Sequence, residues 1–298
     1  MTAALSSHSL SYILVTPVRN GADFIEKTII SVVRQTVLPR KWVIVNDGST
    51  DATGSIVARY LESFPWIEVL QMARHRNYEF AAKARCFNAA VERVSGLEFD
   101  IIANLDADIS FDESYFEFLL AKFNEIPSLG VAGTPMREGD YDAGADARFN
   151  DKDVFGACQV FRRRCLEEIG GYAPIKGGID WVAVRTARMI GWTTRSFMEK
   201  RFIHHGTMGA SDCSVWRSFL RYGEKDYFLG NHPLWEIGRI GYQMMQSPIV
   251  VRGILIFVGY LWASLRRIER PIPPALIRFN RREQLVDLQR ILGKLLDY

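Results

Sequence analysis

Between Tyr12 and Asp108 the chain alternates short apolar runs with amphipathic stretches, and no other feature limits its fold so tightly. The runs are Tyr12–Val15, Trp42–Val45, Ile67–Leu70 and Ile101–Leu105, each of a strand's length. Between them Ile25, Ile29, Val32 and Val33, and then Ile56, Val57, Tyr60 and Leu61, recur at helical spacing, and Ala81–Val94 reads as a third helix. Asp23 and Glu26 are placed to cap the first of these helices. Strands joined through helices return parallel to one another. The expected fold is therefore α/β, a mixed but mostly parallel sheet with helices on both faces.

In such sheets ligands bind beyond the carboxyl ends of the strands. Three exits carry compatible groups there: Pro17 to Arg19, Asp47 to Ser49, and Asp106-Ala107-Asp108. Two carboxylates one residue apart can hold a magnesium or manganese ion, hard cations that favour oxygen and sit between carboxylates and substrate phosphates. The competing readings are a polar turn ahead of a helix starting near Glu113, and a turn-forming use of Asp47 before Gly48. No Gly-x-Gly-x-x-Gly follows the first strand, and no phosphate loop ending in Gly-Lys-Ser/Thr is present. A nucleotide would have to be held by side-chain carboxylates on base or ribose and by a metal on its phosphates.

With Thr16-Pro17-Val18-Arg19-Asn20-Gly21, Ile29 through Thr36, Val45-Asn46-Asp47-Gly48-Ser49-Thr50-Asp51, Leu105-Asp106-Ala107-Asp108, Gly170-Gly171-Tyr172 and Gly178-Ile179-Asp180-Trp181, the chain resembles the family 2 glycosyltransferases of the GT-A (nucleotide-diphospho-sugar transferase) fold over roughly residues 10 to 210. The resemblance implies transfer of a sugar from a nucleotide-diphosphate sugar, with inversion at the anomeric carbon. It implies Asp108 as ligand of Mn2+ or Mg2+, with Asp106 on ribose or a metal-bound water, roles the two could exchange. It gives Asp47 to the base or ribose, with Pro17 and Arg19 shaping that pocket and Arg85 near the nucleotide. Asp180 is the expected general base, its alternative being an N-cap; Ile179 stands where relatives carry a preceding acid. Trp181 is an acceptor platform or core, core being preferred. His205, beside a glycine, is an expected further metal ligand or a structural histidine, with neither favoured. No Gln-x-x-Arg-Trp follows the base motif, so transfer of one residue is expected rather than polymerisation. The polar stretch from Met136 to Asp153 reads as a mobile loop that orders over substrate.

Domain organisation is expected to divide at 10–212, the nucleotide-sugar-binding and catalytic domain, and 213–298, a helical, membrane-associating extension. The 298 residues carry a net charge of +3, but residues 252–298 hold nine Lys/Arg and four Asp/Glu, a surplus of five, leaving about −2 for the rest. Ile254 to Trp262 is apolar, and only thirteen residues separate Arg252 from Arg266, against the roughly twenty a spanning helix needs. Core, interfacial and spanning placements all remain open, with peripheral contact to an anionic membrane favoured. Four cysteines without paired spacing imply reduced thiols, and Met1 to Ser9 does not read as a signal peptide. The expected setting is the cytoplasm, at the inner face of the cell membrane, in envelope or exopolysaccharide assembly on a glycan or lipid-linked acceptor, with no nucleic-acid partner. Two other readings stand beside this one: a sugar-phosphate nucleotidyltransferase, and a non-catalytic nucleotide-sugar-binding protein on the same scaffold.

Overall fold

A computed structural model describes residues 10–73, 80–146, 149–206, 215–246 and 248–296. These fall into two compact units, 1–207 and 208–298. The expected boundary at 212/213 lies outside the described residues, as do Cys213 and the first nine residues.

The first unit runs β1 (Tyr12–Val18), α1 (Ile25–Val33), β2 (Lys41–Asn46), α2 (Thr53–Leu61), β3 (Ile67–Gln71), α3 (Phe80–Arg93), β4 (Ile101–Leu105), β5 (Ile109–Phe111), α4 (Tyr115–Glu125), β6 (Leu129–Gly133), β7 (Met136–Glu138), β8 (Tyr141–Asp142), β9 (Cys158–Arg162), α5 (Arg163–Ile169), α6 (Ile179–Met189), β10 (Thr193–Ser196) and β11 (Phe202–His204). Seven strands form the main sheet in the order β10-β6-β9-β4-β1-β2-β3, and a smaller sheet has the order β5-β11-β7-β8. In the main sheet β9 alone runs antiparallel to its neighbours β4 and β6. The expected mixed, mostly parallel sheet is the observed one.

Residues 12–15 of β1 are all buried, which requires cover on both faces. Tyr12 and Leu14 pack with Ile25, Ile29 and Val32 of α1 and with Phe116 and Leu119 of α4. The intervening Ile13 and Val15 point the other way by the two-residue period of a strand, towards the face where α3 meets α6. A mid-strand proline is tolerated because Pro17 stands near the end of β1, in register with Val45. The chain steps outward from β1 to β2 and β3, then returns to place β4 on the other side of β1. That reversal opens a crevice between the carboxyl ends of β1 and β4, where ligands of doubly wound sheets bind.

Three local expectations are corrected. Asp23 caps nothing: the residue before α1 is Phe24, which makes no side-chain cap bond, and Glu26 instead accepts from Arg59 at 2.8 Å and from the Tyr60 hydroxyl at 3.0 Å. The Asp-Ala-Asp turn does not lead straight into a helix near Glu113, because β5 intervenes and α4 begins at Tyr115. The stretch from Met136 to Asp153, expected to be a loop, holds a hairpin, β7–β8, turned by Gly139 at φ 54° and Asp140, while its residues 147 and 148 lie outside the described residues. Arg201 Nε donates to Asp142 at 3.0 Å and ties the hairpin down.

The second unit is helical: α7 (Val215–Phe228), α8 (Pro233–Met244), α9 (Val251–Leu265) and α10 (Pro274–Leu296). Its small apolar centre joins Phe219, Ile240 and Ile256. Among the described residues no helix is long and apolar enough to cross a membrane.

Candidate active site

The exits of β1 and β2 are fastened to each other by their own motif residues. Asn20 N donates to Ser49 Oγ at 3.0 Å, Ala22 N to Asp51 Oδ2 at 3.0 Å, and Thr50 N to Asn20 Oδ1 at 2.8 Å. Gly21 N donates to Thr53 Oγ1 at 2.9 Å, and Thr53 Oγ1 in turn donates to Asp51 at 2.6 Å. Burial would raise the Asp51 carboxyl, but the bonds from Thr53 and Ala22 outweigh it and hold the group below its usual range. Much of the Asn-Asp-Gly-Ser-Thr-Asp motif is thus architectural. Asp47 is left to face inward: it is 5% exposed, with Arg19 Nη1 at 3.9 Å from its Oδ2.

At the exit of β4 the two aspartates turn to different partners. Lys83, reaching over from α3, places Nζ 2.5 Å from Asp106 Oδ1 and donates to Gly156 O at 3.2 Å. Burial favours a neutral amine here, yet the carboxylates of Asp106, Asp180 and Asp108 outweigh it and hold the ammonium above the ordinary lysine range. Burial likewise pushes Asp106 up against the pull of Lys83, with the neighbouring Asp108 charge adding to the rise. Asp108 Oδ2 lies 3.3 Å from His204 Nε2, and the other ring nitrogen of His204 lies 3.1 Å from Glu138 Oε2. Desolvation would raise Asp108, but the His204 contact outweighs it and lowers the carboxyl; the same contact raises His204.

Asp180 joins this cluster from the first turn of α6. The residue preceding that helix is Gly178, at φ 71°, so Asp180 is not its N-cap. Its carboxylate packs on Gly156 so closely that a Cβ there would stand 2.6 Å from Asp180 Oδ2. Gly206 does the same for Asp108, a Cβ on it falling 2.6 Å from Oδ2. Both glycines give an acid room that any side chain would take away. Gln159 Nε2 donates to the Asp180 carbonyl at 3.2 Å, and Gln159 Oε1 accepts from the buried Tyr172 hydroxyl at 2.5 Å, so the Gly-Gly-Tyr motif braces the start of α6.

Of the residues expected from sequence, Asp106, Asp108 and Asp180 meet around Lys83 and Gly156, while Asp47, Arg19 and Pro17 form the adjoining wall at β1 and β2. The histidine brought to Asp108 is His204. His205 turns away, its Nε2 2.8 Å from Ser110 Oγ and its ring stacked on Phe24 at 6.5 Å between centroids. Likewise Lys83 reaches Asp106, whereas Arg85 is an exposed residue of α3. Trp181 is half-buried, with the Arg185 guanidinium 5.4 Å from its ring. Sequence reasoning missed His204, Glu138, Lys83 and the two glycines. Phe202 and Ile203 are both apolar, so the sequence carries no alternation here; in the folded chain Phe202 is buried and Ile203 is 46% exposed, which sends His204 inward.

The cluster fits a divalent cation with oxygen preference. Ligands at about 2.1 Å from an octahedral ion are about 3 Å apart when adjacent, close to the 3.3 Å between Asp108 Oδ2 and His204 Nε2. A carboxylate on the far nitrogen of a ligating histidine, as Glu138 is on His204, is the usual supporting contact. Among the described residues no group of three or more His, Cys, Asp or Glu side chains is arranged to hold an ion alone.

Residues 13–170 match the family model described as Glycosyl transferase family 2. A poly-beta-1,6-N-acetyl-D-glucosamine synthase of Staphylococcus aureus is 30% identical over 118 residues, which are 39% of this chain and 26% of that protein. Among solved structures, a mannosyltransferase of Pyrobaculum calidifontis in complex with GDP-Man and Mn2+ superposes with a TM-score of 0.58 at 17% identity, covering 98% of this chain and 82% of that one. TarS 1–349 of Staphylococcus aureus in complex with UDP-GlcNAc gives 0.55 at 14% identity, covering 86% and 73%. Identities this low speak for a common fold alone.

Proposed function

The chain belongs to glycosyl transferase family 2, and on that premise we propose that it moves one sugar from a nucleotide-diphosphate sugar to an acceptor hydroxyl, with inversion at the anomeric carbon. The observation that carries this reading is the meeting of Asp106, Asp108 and Asp180 around Lys83 at the crevice between β1 and β4. Acids so far apart in sequence share one spot, and the spot is where a doubly wound sheet holds its ligand.

The roles follow from chemistry and position. Asp47 accepts hydrogen bonds from the base or ribose, with Pro17 and Arg19 forming that wall. Asp106 contacts ribose or a bound water, and Lys83 rather than Arg85 is the cation beside it. Asp108 and His204 would hold Mn2+ or Mg2+, and such an ion, when bound, supplies charge neutralisation for a departing diphosphate. Asp180 takes the proton of the acceptor hydroxyl as its oxygen bonds to the anomeric carbon and the glycosyl–phosphate bond breaks. The acceptor is a growing glycan or lipid-linked sugar of the envelope or an exopolysaccharide, met by a peripheral enzyme at the inner face of the cell membrane. The synthase relative and the neighbours solved with GDP-Man, Mn2+ and UDP-GlcNAc support donor class and ion alike.

Thermal stabilisation across a panel of nucleotide sugars, with and without manganese, tests donor binding, because a ligand of the folded state raises its stability by mass action. At least one donor is expected to stabilise the chain and to do so more with the ion. A flat panel under both conditions would overturn the proposal.

A further inference from the structure

The helical unit exposes much apolar surface and buries polar groups beside its small apolar centre. Of the twenty-three large hydrophobic residues that are exposed among the described residues, sixteen belong to this unit. Its interior meanwhile buries Asp226, Asn231, Glu236, Asn280 and Gln284, with Arg239 partly buried beside them. These hold one another: Arg239 pairs with Asp226 and lies 3.5 Å from Glu236, Asn231 Nδ2 donates to Glu236 at 3.3 Å, and Gln284 Nε2 donates to Asn231 at 2.8 Å. A water-facing helical bundle buries its apolar stripe and exposes its polar one. Here a polar network stands beside the small apolar centre, its buried Asn280 Oδ1 without a hydrogen-bond partner, and much apolar surface is left outside.

That surface is ordered. Ile254, Phe257, Val258, Leu261, Trp262 and Leu265 of α9 follow the spacing of one helix face, and each is 43% exposed or more. The opposite face carries Gly253, Gly259 and Ala263, and a Cβ on Gly259 would strike the Leu220 carbonyl of α7. Close backbone approach through small residues is how helices pack where apolar side chains have nothing to gain by leaving their surroundings. Arginines close the exposed face at its C-terminal end, Arg266 over Trp262 at 5.0 Å and then the exposed Arg267, whereas Arg252 shares the buried face of Ile256 and Gly259 and packs over the Phe219 ring at 5.3 Å. The fifteen residues of α9 extend about 22 Å, short of a hydrocarbon core of about 30 Å.

We propose that the exposed face of α9 lies in the interface of an anionic bilayer, its apolar stripe among the acyl chains and Arg266 and Arg267 on phosphate headgroups. The exposed apolar stripe calls for an apolar surrounding, Arg266 and Arg267 call for negative charge, and the length of α9 rules out a span. This deepens the reading of a peripheral enzyme given above, and it rests on that reading for its setting, though not for its measurement.

Flotation of the full chain with vesicles of phosphatidylcholine, alone or mixed with phosphatidylglycerol, reads the contact without any sugar transfer. The wild-type chain should float with the anionic vesicles, and added salt should weaken it. Phe257→Glu with Leu261→Glu should cut partitioning by at least about tenfold, since losing one buried Phe or Leu exceeds the about 1.4 kcal/mol that a factor of ten represents. Arg266→Glu with Arg267→Glu should erase the preference for phosphatidylglycerol. Donor-induced stabilisation that persists in both variants shows that they fold and that the sugar-nucleotide site is intact. Failure of the wild-type chain to float overturns the proposal, as does unchanged flotation of the Phe257/Leu261 variant. Light scattering that finds a dimer split by the same pair of substitutions also overturns it, in favour of a second copy on this face.

Discussion

An aspartate at the start of a helix has two uses, and at position 180 they separate. Gly178 precedes α6 and Asp180 sits inside its first turn, with its carboxylate against Gly156 and its charge felt by Lys83. Asp180→Asn keeps the shape and removes the basicity, so steady-state kinetics should show a loss in kcat of about a hundredfold or more with little change in donor KM. A helix-capping role would instead appear as lost thermal stability with kinetics intact. The histidine pair gives a second residue-level test. Calorimetric titration of Mn2+ should weaken about tenfold or more in His204→Ala and stay near wild type in His205→Ala. Asp47, Asp106, Asp108 and Asp180 were legible in the sequence because each closes or follows a recognisable element. Choosing between His204 and His205, or between Lys83 and Arg85, needed the direction of a side chain, which depends on where a strand begins and which way a helix is rotated.

At the scale of elements, alternation of apolar runs gave the parallel strands and their covering helices, and hydrophobic period sufficed because β1, β2 and β4 are buried on both faces. What the period could not give was the antiparallel β9, inserted between β4 and β6 by pairing over a long sequence distance. The β7–β8 hairpin was also missed, although Gly139-Asp140 is a turn signal; its few strand residues are too short to show a period, and Arg201 fixes it from far along the chain. Elements also set the spacing of the site. Gly156→Ala should push the Asp180 side chain away and lower turnover about tenfold or more while the melting temperature stays within a few degrees of wild type. In the other unit, Gly259→Leu should destabilise by about 3 kcal/mol in denaturant titration, because its side chain would meet the backbone of α7.

Across the whole molecule, one unit carries the strand-end acids and the other buries charge while exposing apolar surface. That second arrangement has a pH signature. Burial raises Glu236 to about 7, and the groups facing it are Asp226 on α7, Arg239 on its own helix and Tyr260 on α9, with Arg252 acting on Arg239. Burial outweighs the hydrogen bond that Asn231 donates to the Glu236 carboxylate, so the folded chain holds the proton. Below about 4.5 folded and unfolded chains are both protonated at Glu236; as pH rises from there to about 7 only the unfolded chain releases the proton. Stability of the helical unit should therefore fall with rising pH across that window, by at most roughly 3 kcal/mol, and Glu236→Gln should flatten the dependence in melts followed by circular dichroism. The exposed apolar face was legible in part, since the apolar run and the arginines after it are contiguous, whereas the polar network draws on three helices and has no linear trace.

The most direct measurement is anomalous diffraction from crystals grown with Mn2+ and a nucleoside diphosphate. The account predicts an ion about 2.2 Å from Asp108 Oδ2 and His204 Nε2, with the diphosphate beyond the ends of β1 and β4 and the base against Asp47. An ion bound away from Asp108, or a nucleotide lodged elsewhere on the sheet, would contradict it.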